Sequence, residues 1–145
     1  MATQLLVGRG VERNCAARQA GFTLVELMIV IAILGILAGI AYASYAQSVI
    51  KSRRSAAAAC LQERAQLMER YYTTKLTYVG ASAPAACDGL SRFYTVQFNG
   101  TPTAKTFAIT AVPSSLQNDS KCGTLSIDQK GGRGASGTDG ANGCW

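Results

Sequence analysis

A single apolar run constrains the fold of this chain more than any other feature of its sequence. No charged side chain occurs from Leu27 to Ile50. An α-helix needs about 20 apolar residues to cross a bilayer, and residues 27–46 supply that length. One carboxylate, Glu26, stands at the beginning of the run. Because a charged side chain in an apolar membrane segment is costly and usually functional, Glu26 requires an explanation.

Three interpretations of this run compete. In the first it is a secretory signal, since Arg9, Arg13 and Arg18 precede it and "AYA", residues 41–43, has the small residues of a cleavage site. In the second it is a plain membrane anchor, with Glu26 at headgroup depth. In the third Glu26 has a specific function, which is favoured because a signal peptide has no use for an acid. Basic residues flank both ends of the run, so their distribution does not orient it.

The segment "GFTLVELMIVIAILGILAGIA", residues 21–41, resembles the N-terminal signature of type IV pilins and the related pseudopilins. The resemblance implies that a prepilin peptidase cleaves between Gly21 and Phe22 and that Phe22 is then N-methylated. It also implies a leader at residues 1–21, a transmembrane and assembly helix at 22–46, and a periplasmic globular head at 47–145. Glu26 would be the fifth mature residue, which in this family pairs with the N-terminal amine of a subunit during assembly.

The helix is expected to continue beyond the apolar run. From Gln47 to Tyr72 there is neither glycine nor proline, and apolar residues recur at helical spacing, which predicts a face packed on a sheet. This face consists of Ala57, Leu61, Ala65, Met68 and Tyr72. After a predicted loop at 73–91, the alternating segments "RFYTVQF", "KTFAITAV" and "GTLSIDQ" predict antiparallel strands, with a turn at Asn99–Gly100 between the first two. This order is that of the α+β pilin fold, a long helix followed by an antiparallel sheet.

The composition excludes several kinds of active site. The chain contains no histidine, so Ser-His-Asp and Cys-His nucleophiles are ruled out, and no CxxC pair is present for a zinc site. We therefore expect no enzyme, no metal and no cofactor. The tail matches GxGxxG at residues 132–137, but no helical pattern follows, which argues against dinucleotide binding. The glycine-rich tail is instead expected to be a flexible surface loop.

The net charge of +6 is concentrated in the second half of the predicted helix. We expect the basic side chains there to form mainly a solvated face. They are Lys51, Arg53, Arg54, Arg64 and Arg70. For Lys51, Arg53 and Arg54, contacts to lipid headgroups or neighbouring subunits are the alternative. Residues 99–145 have a net charge of only +1, with four basic and three acidic side chains. That value gives little support to a nucleic-acid surface on this part of the head.

Four of the five cysteines would remain after removal of the leader, which contains Cys15. Four cysteines allow three connectivities, and sequential pairing is the simplest of them. It gives Cys60–Cys87, joining the helix to the following loop, and Cys122–Cys144, closing the C-terminal loop. The second pair resembles the C-terminal disulfide of pilins.

The sequence thus predicts a subunit of a type IV pilus. The short chain, Ala43 where many major pilins carry proline, and "CGTLSIDQKGG…GCW" resemble PilE-type type IVa minor pilins. The implied partners are other pilin subunits, the prepilin peptidase, the inner membrane and its assembly platform, and the fibre would serve adhesion, twitching motility and DNA uptake. Two alternatives stay open: a type II secretion pseudopilin and a DNA-receptor pilin, the latter with DNA as a direct partner.

Overall fold

The computed structural model describes residues 21–145, so the predicted leader apart from Gly21, together with Cys15, lies outside the described residues. The elements follow the chain in the order helix, four strands, short helix. They are α1 (Leu24–Lys75), β1 (Tyr94–Phe98), β2 (Ala108–Pro113), β3 (Leu125–Asp128), β4 (Arg133–Ala135) and α2 (Gly140–Cys144). The chain divides into two units at Gly39, within α1.

Local sequence determines both ends of α1. At the N-terminus, the Thr23 hydroxyl accepts a hydrogen bond from the Glu26 backbone N–H at 3.2 Å, as a helix cap does. At the C-terminus, Leu76 adopts a left-handed conformation with φ 56° and ends the helix. The sequence predicted a helix over residues 22–72; in the structure it begins two residues later, at Leu24, and ends three residues further on, at Lys75.

The four strands form an antiparallel meander in the order β1-β2-β3-β4. Val96 lies opposite Ala111 and Ile109 opposite Ile127, so the apolar residues of successive strands share one face. The three predicted strands and their antiparallel arrangement are confirmed. The connection between β1 and β2 is longer than a two-residue turn, because it spans residues 99–107, with Gly100 at φ 84°.

The core of the head lies between this sheet and the second half of α1. Leu61, Tyr94, Ile109 and Leu125 are completely or almost completely buried in one apolar cluster. The predicted helical face contributes to the same cluster, with Ala57, Leu61 and Met68 buried and Ala65 and Tyr72 packed against it.

The C-terminal tail is more regular than the sequence indicated. It was expected to be a flexible loop, but it contains β4, which pairs with β3, and the short helix α2. The disulfide between Cys122 and Cys144 closes this region, with a Cα–Cα distance of 5.6 Å. A second disulfide joins Cys60 of α1 to Cys87, at 5.8 Å. Glycine permits the close approach at Gly137, where a Cβ would clash with the Lys121 carbonyl oxygen.

Candidate assembly and recognition surfaces

The N-terminal half of α1 exposes a continuous apolar surface. Every large apolar side chain from Phe22 to Tyr45 is exposed, with accessible fractions between 47% and 83%. By length and composition, α1 could cross a membrane. Apolar patches of this extent on a protein surface mark contact with a membrane or with other proteins.

Glu26 lies in the first turn of this exposed helix. Among the described residues it takes part in no ion pair. Thr23 and Glu26 have the spacing of a capping box, in which an acid or glutamine at the third helical position supports the helix N-terminus. A carboxylate in the first turn is also favoured by the helix dipole. Glu26 therefore has a local explanation besides the intersubunit pairing that the family resemblance implies.

A buried polar cluster ties the β2–β3 loop to α1. Asp119 Oδ2 lies 2.8 Å from Arg54 Nε, and the Asp119 side chain is only 3% exposed. Gln117 Nε2 donates to the carbonyl oxygen of Ile50 at 3.0 Å and to the Tyr94 hydroxyl at 3.2 Å. Burial raises the pKa of Tyr94 above its ordinary value, so the hydroxyl stays protonated in the cluster.

The basic side chains of α1 do not form a simple solvated face. Arg54 belongs to the buried cluster, and its Nη1 also contacts the sulfur of Cys122. Arg53 lies over the Phe93 ring, with its guanidinium carbon 3.7 Å from the ring centroid. Arg64 donates to the carbonyl oxygen of Ala85 at 3.0 Å. The expectation of a solvated face is therefore wrong for Arg54, because the tertiary fold brings an acid against it.

In the C-terminal region, the basic side chain of Arg133 lies next to Trp145, the only tryptophan of the chain. The Arg133 guanidinium carbon lies 5.2 Å from the centroid of the Trp145 ring. Trp145 Nε1 donates to the Gly134 carbonyl oxygen at 2.9 Å, which fixes the indole against β4. Gly131, Ala141 and Asn142 complete an open hollow of about 420 Å³ beside this pair.

One further titratable group is strongly perturbed. Burial and a 2.9 Å hydrogen bond to the Glu69 carboxylate raise the pKa of Tyr78 to about 12. Tyr78 stacks on Tyr72 and meets Phe107 edge-on, so its role is in packing the core. Among residues 21–145, no three metal-ligating side chains come together in a way that would hold an ion.

Two family profiles match the chain. The profile described as "Prokaryotic N-terminal methylation motif" matches residues 16–42, and the one described as "Type IV minor pilin ComP, DNA uptake sequence receptor" matches residues 43–126, more than half of the sequence. The chain belongs to the type IV pilins and, among them, to the ComP minor pilin family.

Individual relatives agree with this assignment. Fimbrial protein EcpC of Eikenella corrodens is 43% identical over 67 residues, which are 46% of this chain and 44% of that protein. The chain thus matches less than half the length of this relative. A type IV pilin from Shewanella oneidensis is 34% identical with a TM-score of 0.52, covering 66% of this chain and 97% of that one. The non-core minor pilin PilV of Neisseria meningitidis, at 24% identity and a TM-score of 0.53 over 63% of this chain and 91% of that one, shares the fold.

Sequence reasoning missed two features of these surfaces. The Arg54–Asp119 pair joins residues far apart in sequence, and no local pattern pointed to it. The contact between Arg133 and Trp145 had a weak signal, because a terminal tryptophan after a glycine-rich segment needs a partner for its ring and its N–H.

Proposed function

We propose that this protein is a structural subunit of a type IV pilus, held in the inner membrane by the apolar half of α1 with its head in the periplasm before assembly. The prepilin peptidase would cleave between Gly21 and Phe22, Phe22 would be methylated, and the assembly platform would insert the subunit into the fibre. The observation that carries the proposal is the exposed apolar surface from Phe22 to Tyr45 in a chain with the N-terminal methylation motif.

Glu26 is proposed to pair with the N-terminal amine of Phe22 of its own or a neighbouring subunit. Cleavage would leave this amine four residues from Glu26, roughly 6 Å along a helix. When the apolar helices pack together in the fibre, an acid in their interface needs a cation, because an unpaired buried charge costs several kcal/mol. Correct axial register would then be favoured, since a shifted subunit leaves the charge unpaired.

Substitutions at Glu26 separate this pairing from the capping role. Glu26→Gln removes the charge but retains a side chain suited to the capping box, whereas Thr23→Val removes the cap and keeps the charge. We expect Glu26→Gln to enter the membrane normally and to be depleted from sheared fibres, and Thr23→Val to assemble nearly as the wild type does. The amounts of each variant in the sheared and membrane fractions measure this. Normal assembly of Glu26→Gln together with failure of Thr23→Val would assign Glu26 to capping alone.

A second candidate function, direct DNA binding by the head, is favoured by the family profile, whose description names a DNA uptake sequence receptor. Residues 47–145 contain eleven basic and six acidic side chains, a more positive balance than residues 99–145 alone. Lys130 is exposed in the β3–β4 turn, and Arg133 is exposed at the start of β4, beside Trp145. Cations supply affinity for the phosphates of DNA.

Arg133 provides the test of DNA binding, with Arg70 as the matched control because Arg70 is an exposed arginine on α1. We expect Arg133→Ala to weaken binding of duplex DNA and to reduce the slope of log K against log salt by about 1, as loss of one phosphate contact does. Arg70→Ala should leave both unchanged. Fluorescence anisotropy with labelled DNA over a range of salt concentrations measures both quantities. Equal behaviour of the two variants would argue against a site at Arg133.

A further inference from the structure

An exposed apolar patch lies where the β2–β3 loop meets α1. Leu116 of this loop is 58% exposed, and Tyr42 and Tyr45 of α1 are 77% and 70% exposed. Together with Ala46 and Val49 they border a hollow of about 290 Å³. We call these five residues the Leu116 patch. Its polar rim consists of Arg53 and Asn118, and no acidic residue lines the hollow.

The fold holds Leu116 firmly in this exposed position. Gln117, the next residue, is 2% exposed and bonds the Ile50 carbonyl oxygen of α1, while Asp119 pairs with Arg54. On the other side, Ser114 Oγ accepts a hydrogen bond from the Leu116 backbone N–H at 3.3 Å. The loop therefore buries Gln117 and Asp119 and leaves Leu116 outside. An apolar side chain fixed in water contributes little to the stability of the isolated chain, whereas its burial against another surface is favourable.

We infer that the Leu116 patch is a contact surface for the apolar segment of α1, residues 22–40, of a neighbouring pilin subunit. This inference rests on the proposed fibre function. Two observations identify the occupant. Tyr42 and Tyr45 directly continue the exposed apolar surface of α1 that the proposed fibre would pack together, so the patch extends the same interface. The hollow is concave and apolar with a positively charged rim, which suits an aliphatic helix whose first turn carries Glu26.

Lipid is the competing occupant, since tyrosines are enriched at the headgroup level of membranes. A bilayer, however, does not require a concave surface or a leucine fixed on a loop of the head. We therefore assign the patch to a protein contact and make lipid contact an outcome of the experiment.

The test places a photo-crosslinking amino acid at position 116 of the full-length chain in cells that make pili. We expect the sheared fibres to contain a crosslink from position 116 to a peptide within residues 22–40 of a pilin subunit, identified by mass spectrometry. The same probe at position 76, an exposed leucine in the wild type, should not crosslink to that peptide. Crosslinking of position 116 only to lipid, only to another part of a pilin, or to nothing in the fibres would overturn the inference.

A substitution gives an independent measurement. Leu116→Ser should lower the ratio of sheared to membrane-bound subunit about tenfold, the factor expected for loss of most of a buried leucine side chain at an interface. Leu76→Ser is the matched control and should leave the ratio unchanged. An unchanged ratio for Leu116→Ser would contradict the inference. Absence of the wild-type chain from sheared fibres would instead contradict the fibre function itself, and the two failures are thereby distinguished.

Discussion

The two halves of α1 are parts of one uninterrupted helix, but their surfaces differ completely. Up to Tyr45 its large apolar side chains are exposed, and the only acid, Glu26, has no ionic partner among the described residues. Further along, Ala57 and Leu61 are completely buried, and Arg54 has an acid from a distant loop against it. The apolar side chains of the first half are exposed in the single chain, whereas side chains of the second half pack against or pair with other parts of the same chain.

This difference shows that helical structure and helical burial are decided separately. Helix propensity and capping act over a few residues, and both halves are helical. Burial depends on what the rest of the chain brings against the helix. The four predictions below compare substitutions in the two halves, or in the head they support, and are ordered from the largest expected effect to the smallest.

Removing one acid from each region should have different consequences for the stability of the head. Asp119→Ala leaves the largely buried Arg54 side chain without its partner, and we expect it to lower the free energy of unfolding of the head by about 3–5 kcal/mol. Glu26→Ala should leave that quantity unchanged, because Glu26 is exposed and unpaired among the described residues. Thermal or denaturant unfolding of the detergent-solubilised chain measures both. Equal stability of the two variants would remove the distinction between the regions.

The same leucine substitution separates the two halves of the helix. Leu61 is completely buried, so Leu61→Ala should lower the free energy of unfolding by about 2–5 kcal/mol through lost burial and a cavity. Leu37 is 56% exposed, and Leu37→Ala should change head stability very little. Circular dichroism melting curves of both variants provide the measurement. A large loss in Leu37→Ala would mean that the apolar half contributes to the core of the head.

The C-terminal disulfide should stabilise the head alone. Replacing Cys122 and Cys144 together by serine should lower the free energy of unfolding by about 3 kcal/mol, the value for a loop of this size in the chain-entropy model. Membrane association should not change, because the apolar half of α1 contains no cysteine. Unfolding curves and membrane flotation of the double variant test the two statements. Loss of membrane flotation in the double variant would mean that the disulfide also affects membrane association by the apolar half of α1.

The smallest effect is a dependence of stability on alkaline pH. The pKa of Tyr78 is about 12 in the folded head against 10.0 for an ordinary tyrosine side chain, so between these values the folded state retains a proton that the unfolded state has released. The contribution of Tyr78 is fully present below pH 10 and is lost as the pH rises through about 12. Tyr78→Phe should lack this part of the dependence. The measurement is the difference between the unfolding free energies of wild type and variant from below pH 10 to about pH 12. A difference that stays constant with pH would contradict this contribution of Tyr78.

Much of this architecture could be predicted from particular residues. The spacing of Ala57, Leu61 and Met68 predicted the buried helical face, and the alternation in "RFYTVQF" predicted the inward residues of β1. These predictions succeeded because they depend on the periods of helix and strand, which are local properties. The tail was predicted wrongly as a flexible loop, because β4 is only three residues long and forms by pairing with β3 rather than by any pattern of its own.

The sequence by itself determined the long helix, its apolar half, the order of the first three strands and the family of the protein, since each depends on patterns among neighbouring residues. Only the tertiary structure decided that Arg54 meets Asp119, that Arg133 lies over Trp145, and that Leu116 stands exposed beside Tyr45. The physical reason is the range of the interactions. Backbone periodicity and capping act within a few residues, whereas ion pairs, ring contacts and surface patches join side chains that meet only after the chain has folded.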